Sequence, residues 1–353
     1  MKTRKVTLVC NLKNTFVIKD VKLIEAMGYD VYLVHSPPYK NPVSFFWNRL
    51  SEFILCLYYL PRSEVLFSWF NDYHATIPLI LAKLFGKSGT IIVGGYDAIA
   101  SPDLNYGIFL KKNIRQFLAK WNYKLANSIW VVHKSLSRGC IYAKDDSNTT
   151  SGILTFIPNL KTPIMEIPTA YNSNFWKAEQ PKDPKTIITV ANISDLRTFE
   201  RKGIPLFLEL AKLLPDFKFT LAGIENIFDL KYKLPKNVDL FGKQTKDELK
   251  RLYEKNTFYF QGSKVEGLPN VLCEAMLCEC IPIGKKVFGI HDVIGSTGLL
   301  FESSKATKNI VSFLKENKEK SGSKARRRII EMYNIEKRQK AFRKILTKNK
   351  YYG

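Results

Sequence analysis

The sequence predicts an α/β protein made of two successive parallel sheets, each covered by helices. Three observations predict it. The chain has 353 residues of ordinary globular composition, 45% hydrophobic and 25% charged. Short apolar runs alternate with amphipathic ones, the pattern of strands joined by crossover helices. The same alternation then begins afresh in the second half. Length agrees, since domains run to about 100–200 residues. A chain this long buries large cores without disulfide staples.

In the first half the apolar runs predict strands near 5–10, 30–34, 64–68, 90–94, 128–133 and 164–167. Helical patterns fall between them at 15–27, 43–59, 76–84, 110–125 and 135–143. The second half predicts strands near 186–191, 218–222, 238–241, 257–260 and 281–283, with helices at 204–214, 246–254, 270–278 and from 305 onward. The stretch from Pro163 to Pro181 carries Pro168 and the polar run Tyr171-Asn172-Ser173-Asn174, and reads as the join. The expected division is therefore 1–167, 168–334 and a terminal segment 335–353. Two Rossmann-like domains placed this way enclose a cleft, because ligands sit outside the carboxyl ends of parallel strands.

Several classes are not expected. The longest apolar stretch, Phe53 to Leu60, is far short of the roughly 20 residues that span a bilayer. The basic start resembles a signal peptide, but Asn11, Lys13 and Asn14 interrupt its apolar run, so a cytoplasmic protein is expected. Cys273, Cys278 and Cys280 cluster without a second ligand pair, which favours reduced, packed thiols over a metal site. No glycine-rich dinucleotide turn, no Walker loop and no Asp-x-Asp occurs, so a dinucleotide or a metal-held diphosphate is not expected.

Lys and Arg outnumber Asp and Glu by 55 to 32, a formal charge of +23. That favours anionic partners: phosphorylated substrates, acidic headgroups or nucleic acid. Nucleic acid is disfavoured because no zinc finger, RNP box or basic zipper is present. The basic tail, including Lys324 and Arg326 to Arg328, reads either as a solvated helical face or as a surface drawn to an anionic membrane. The aromatic stretch Phe45 to Tyr59 leaves a similar choice, between a helix buried under the first sheet and one lying in a membrane interface at the inner face of the cell membrane.

The chemistry concentrates between Gln261 and Glu274. This segment follows a strand and leads into a helix, with Pro269 suited to the first turn. Gly267 permits close backbone approach, and the free N–H groups at the helix start favour an anion. Glu266 then stands beside an anion site, and Glu274 lies about one turn into the helix. A carboxylate there is suited to hydroxyls of a sugar or ribose, with which it forms strong hydrogen bonds.

The spacing Glu266-x7-Glu274, with Glu-Gly-Leu-Pro-Asn-Val-Leu-Cys-Glu-Ala-Met around it, resembles the family-four group of retaining, nucleotide-sugar-dependent glycosyltransferases with the GT-B fold. Ile281 to Gly284, Gly298 to Phe301, Val190-Ala191-Asn192 and Arg201-Lys202-Gly203 agree in order, as do Leu221-Ala222-Gly223 and Leu240-Phe241-Gly242. The resemblance implies a nucleotide-diphosphate sugar as donor, a hydroxyl of a growing glycan or lipid-linked saccharide as acceptor, no metal requirement and a terminal helix that crosses back to the first domain. It assigns Lys202, with Arg201 or Arg197, to the donor diphosphate, Glu266 to the transferred sugar and Glu274 to the ribose. Backbone of Gly267 and Leu268, before Pro269 and Asn270, would support the sugar or phosphate. Gly223, Phe241, Gly242 and Lys243 would line the base. On the acceptor side it points to His74 in the cleft and to the loop Gly94-Gly95-Tyr96-Asp97. Asn192 stands where many relatives carry arginine, and the first strand lacks the family's glycine-rich turn. Two other readings share these features: a sugar-nucleotide epimerase of the same fold, and a non-catalytic binder of polyanions or membrane surfaces.

Overall fold

The computed structural model describes residues 4–142, 148–224, 233–303, 306–316 and 322–348. The first half forms β1 (Arg4–Cys10), β2 (Tyr29–His35), β3 (Val65–Trp69), β4 (Ser88–Val93), β5 (Ile99–Ala100), β6 (Ser128–Val131), β7 (Thr150–Ser151) and β8 (Ile164–Glu166). Six of these make one parallel sheet in the order β2-β1-β3-β4-β6-β8, while β5 and β7 pair antiparallel beside it. The second half forms β9 (Asp183–Ile193), β10 (Lys218–Ile224), β11 (Val238–Phe241), β12 (Asn256–Gln261), β13 (Ile281–Lys285) and β14 (Leu299–Phe301), ordered β11-β10-β9-β12-β13-β14. Both sheets are covered on two faces, so their central strands read as continuous apolar runs. Val6, Leu8, Val9 and Cys10 of β1 are all fully buried.

Each sheet reverses strand order once, between β1 and β3 and again between β9 and β12. At such a switch point the loops leaving neighbouring strands part and open a crevice. The crevice loops begin after Cys10 and Trp69 in the first sheet and after Ile193 and Gln261 in the second.

The terminal helix Ile335–Lys348 crosses back onto the first half, as the resemblance implied. Arg338 donates from Nε to Asp20 Oδ1 at 2.6 Å and from Nη1 to the carbonyls of Ile167 and Pro168. Asp20 also accepts from the Trp69 indole at 2.8 Å. Phe342 is fully buried, edge-on to both Phe67 and Trp130.

Some expectations shift. The helix expected over 135–143 stops at Arg138, because Gly139 turns the chain at φ +99°, and Ala143 lies outside the described residues. The helices Leu196–Arg201 and Phe288–Ile294 are additional, being too short to show a clear period. All six cysteines are free, and Cys273, Cys278 and Cys280 are fully buried. The helix Pro42–Tyr59 is not the buried element of the first alternative. Its enclosed residues are Glu52 and Cys56, while Phe46 and Trp47 are each 60% exposed.

Candidate active site

The two crevices face each other across one cavity of about 870 Å³. Its wall on the second half contains Arg197, Arg201, Lys202, Glu266, Leu268 and Asn270; its wall on the first contains His74, Asp97, Arg115 and Arg49.

The second-half wall is built by two loops held together. Asp195 caps the helix Leu196–Arg201 by accepting from the Thr198 N–H at 2.6 Å. The helix ends at Lys202, where Gly203 adopts φ +72°. A Cβ on Gly203 would come within 2.2 Å of the Gly262 carbonyl oxygen, so only glycine lets this turn meet the loop after β12. The Lys264 N–H then donates to the Arg201 carbonyl at 2.8 Å. Residues some 64 positions apart in sequence are thereby joined: Lys202 Nζ lies 2.6 Å from Glu266 Oε2.

The Glu266 side chain is 19% exposed. Burial pushes its carboxyl up, but Lys202 and Arg201 outweigh that and hold it below the usual glutamate range. Arg201 in turn stacks over the Tyr106 ring at 4.7 Å, and Arg197 donates to the Asn105 carbonyl at 3.2 Å. Both cations are thus placed by a loop of the first half.

The first-half wall is tied up differently. His74 is buried, with Nε2 2.9 Å from the Trp69 carbonyl, which makes that nitrogen the donor. Burial lowers its pKa to about 4, so the imidazole is neutral at pH 7. Asp97, expected to orient an acceptor hydroxyl, has both oxygens engaged: Oδ1 accepts from Gly94 and Gly95, Oδ2 from Asn71. Its carboxylate holds the turn. Burial raises it to about 6 against those backbone donors.

The remaining expected residues divide. Asn270 lines the cavity and accepts from the Tyr171 hydroxyl at 2.8 Å. Pro269 is the N-cap, one residue before the helix Asn270–Leu277. Gly267 makes its close approach to protein: a Cβ there would meet the Gly94 carbonyl oxygen at 2.2 Å, so the two halves touch at this point. Glu274 is ion-paired with Lys19 of the first half at 2.8 Å. Gly223 donates to the Gly242 carbonyl at 3.1 Å, beside Phe241 and Lys243, and Asn192 is exposed at the end of β9. Gly95, Asn192, Gly223, Phe241, Gly242, Lys243, Gly267, Pro269 and Glu274 stand outside the 870 Å³ cavity wall.

Sequence reasoning did not single out Asp72 or Arg115, and it named Tyr96 only as part of the loop Gly94 to Asp97. Arg115 donates to Asp72 through Nε at 2.8 Å and through Nη2, and to the Tyr96 hydroxyl at 3.0 Å. Their signal was position: Asp72 follows the carboxyl end of β3, where this architecture puts its ligands. Among the described residues, no group of three His, Cys, Asp or Glu side chains could hold a metal ion.

Two Rossmann-like domains facing one cleft, with a terminal helix crossing back, define the GT-B class, and solved structures of this shape agree. The fold is similar to that of a sucrose-phosphate synthase from Thermosynechococcus elongatus (TM-score 0.75, 14% identity, 99% of this chain and 100% of that one). It is also similar to the Anabaena protein HepE solved with UDP (TM-score 0.70, 12% identity, 98% of this chain and 100% of that one). Residues 171–348 match the model of the glycosyl transferases group 1 family, half of the chain, and the chain belongs to that family. Members of that family are retaining-type glycosyltransferases that depend on a nucleotide sugar. A curated relative, the gpi3 subunit of phosphatidylinositol N-acetylglucosaminyltransferase from Schizosaccharomyces pombe, is 26% identical over 144 residues. That match spans 38% of this chain and 31% of the relative.

Proposed function

We propose that the cavity transfers a sugar from a nucleoside-diphosphate donor to a hydroxyl of a growing glycan or lipid-linked saccharide, with residues 168–334 holding the donor and 1–167 the acceptor. The observation that carries this reading is the Lys202–Glu266 pair at 2.6 Å, with Arg201 and Arg197 on the same cavity wall. In the reaction, the bond from the anomeric carbon to the β-phosphate oxygen breaks. The acceptor oxygen bonds to that carbon on the same face, and its proton passes to the leaving phosphate oxygen. Charge therefore grows on the diphosphate, and cations placed there stabilise the transition state more than the ground state. Lys202 and Arg201 take this role, which is why we propose that no metal is required.

Glu266, kept ionised by the same cations, accepts hydrogen bonds from hydroxyls of the transferred sugar. His74, neutral and donating through Nε2 to a carbonyl, has Nδ1 left as an acceptor for an acceptor-substrate hydroxyl. Glu274 binds the ribose once Lys19 releases it, and backbone near Gly223 and Phe241 to Lys243 meets the base. The free cysteines suit a reducing compartment, and we place the protein in the cytoplasm.

Thermal shift against UDP-, GDP-, ADP- and CMP-linked sugars tests the donor class, since a ligand that binds only the native state raises its melting temperature. HepE was solved with UDP, so UDP-sugars come first. No shift with any of the four donors would overturn the reading. Products formed from donor alone separate transfer from epimerisation, which needs no acceptor.

A further inference from the structure

The helices Pro42–Tyr59, Tyr73–Leu84 and Ile114–Leu125 follow β2, β3 and β4, and each leads to the next strand on the same side in the first sheet. Right-handed crossovers put all three on one face. A surface helix normally turns its apolar stripe inward. The first of these does the reverse. Its enclosed residues are Glu52 and Cys56, while Phe46, Trp47, Ile54 and Leu57 are 45–60% exposed along an i, i+1, i+8, i+11 stripe. The third helix repeats the pattern with Ile114 at 68%, Phe117 at 66% and Trp121 at 38%, spaced i, i+3, i+7. Eleven of the eighteen large apolar side chains exposed among the described residues belong to these three helices. Scattered exposed apolar residues are ordinary; a concentration on one face marks an interaction surface.

Charge decides what covers it. Glu52 is the sole acidic residue on the three helices, and its side chain is fully enclosed beside Arg49. Around the apolar stripe stand exposed Lys40, Arg62, Lys83, Lys111, Lys112 and Lys124. A second copy of the chain would, in a two-fold contact, set this basic rim against itself. An anionic bilayer offers the complement to both parts: phosphate headgroups for the lysines and an acyl boundary for the aromatics. No described helix is long and apolar enough to cross a membrane, so the contact lies in the surface plane.

We propose that this three-helix face docks the protein on an anionic lipid surface. The docking deepens the acceptor half of the reading above, because Arg49, on the same helix as Phe46 and Trp47, lines the cavity. Bound in this way, the first domain meets an acceptor that is itself held in the membrane.

The test is flotation of the full chain with vesicles of phosphatidylcholine alone and with about one-third phosphatidylglycerol, at low and high salt. Binding is expected to the anionic vesicles and to weaken with salt. The double variant Phe46→Ser/Trp47→Ser should lose on the order of a hundredfold in vesicle affinity. Lys111→Glu and Lys112→Glu should each weaken it at least roughly fivefold. Ile330→Ser, at an exposed apolar residue elsewhere, should change nothing. Each variant is also melted with and without UDP: an unchanged nucleotide shift shows the fold and donor site intact, so a failed membrane contact is told apart from a failed donor site. Three results would overturn the proposal: no flotation at low salt, flotation indifferent to Phe46 and Trp47, or a vesicle-free dimer that the double variant abolishes.

Discussion

Two glutamate–cation pairs stand in opposite halves of the molecule, one on the cavity wall and one that reaches it only through its arginine, and they have opposite electrostatic fates. Lys202 and Glu266 lie 2.6 Å apart at 17% and 19% exposure; Arg49 and Glu52 lie 3.0 Å apart at 16% and 0%. Glu266 is held below the usual range by two cations, whereas burial pushes Glu52 up to about 8, more than its one arginine offsets. Distance to a cation is therefore not what keeps a carboxylate charged. What counts is whether opposite charge and donors outweigh lost water. The second half keeps an ionised acid on the cavity wall, while the first half keeps one behind the wall that is mostly neutral at pH 7.

The largest effect is expected where a third acid–cation pair, away from the cavity, is almost wholly enclosed. Arg338 and Asp20 are 2% and 3% exposed, and Arg338→Met strands a buried carboxylate. It should cost about 3–5 kcal/mol in denaturant unfolding. A loss under 1 kcal/mol would mean that the crossing helix does little to hold the halves.

Next come Lys202→Ala and Glu266→Gln, each expected to lower kcat by about 10²–10³-fold, as when one transition-state donor is removed. Near-normal turnover in both would erase the contrast between the two pairs.

Glu52 gives a pH test. Its folded pKa, about 8, lies above the unfolded value, so the folded state favours the protonated acid. The stability this contributes is complete below about pH 4.5 and drains away as pH rises toward about 8. Glu52→Gln should flatten that slope and be the more stable form at pH 8, by on the order of 2–4 kcal/mol. Parallel stability–pH curves for wild type and variant would contradict the burial of Glu52. Smallest is Lys19→Met. Freeing Glu274 for ribose should tighten nucleoside diphosphate binding by roughly two- to fivefold, the worth of a partly exposed ion pair; weaker binding would give Lys19 a direct part in holding the donor.

Part of the second-half wall was legible in the sequence because it is local: Glu266, Leu268 and Asn270 lie on one strand-loop-helix passage, which the apolar period fixes. Gly267, Pro269 and Glu274 of the same passage fall outside the wall, and Lys202 joins it from 64 positions away. The first half hid its site. Asp72, Arg115 and Tyr96 come from three separated segments, and only sheet order brings them into hydrogen-bonding distance. No sequence pattern shows that backbone N–H groups of Asn71, Gly94 and Gly95 already reach both oxygens of Asp97.

By itself the sequence determined the alternation of strands and helices, the cation excess and the glutamate spacing, because these follow from the period and identity of neighbouring residues. Tertiary structure alone decided which carboxylates stay charged, that Glu274 meets Lys19, and that the helix Pro42–Tyr59 turns its aromatics outward. Those outcomes depend on burial and on partners tens to hundreds of residues away, and the free energy of a charge or an apolar surface is set by what surrounds it in space.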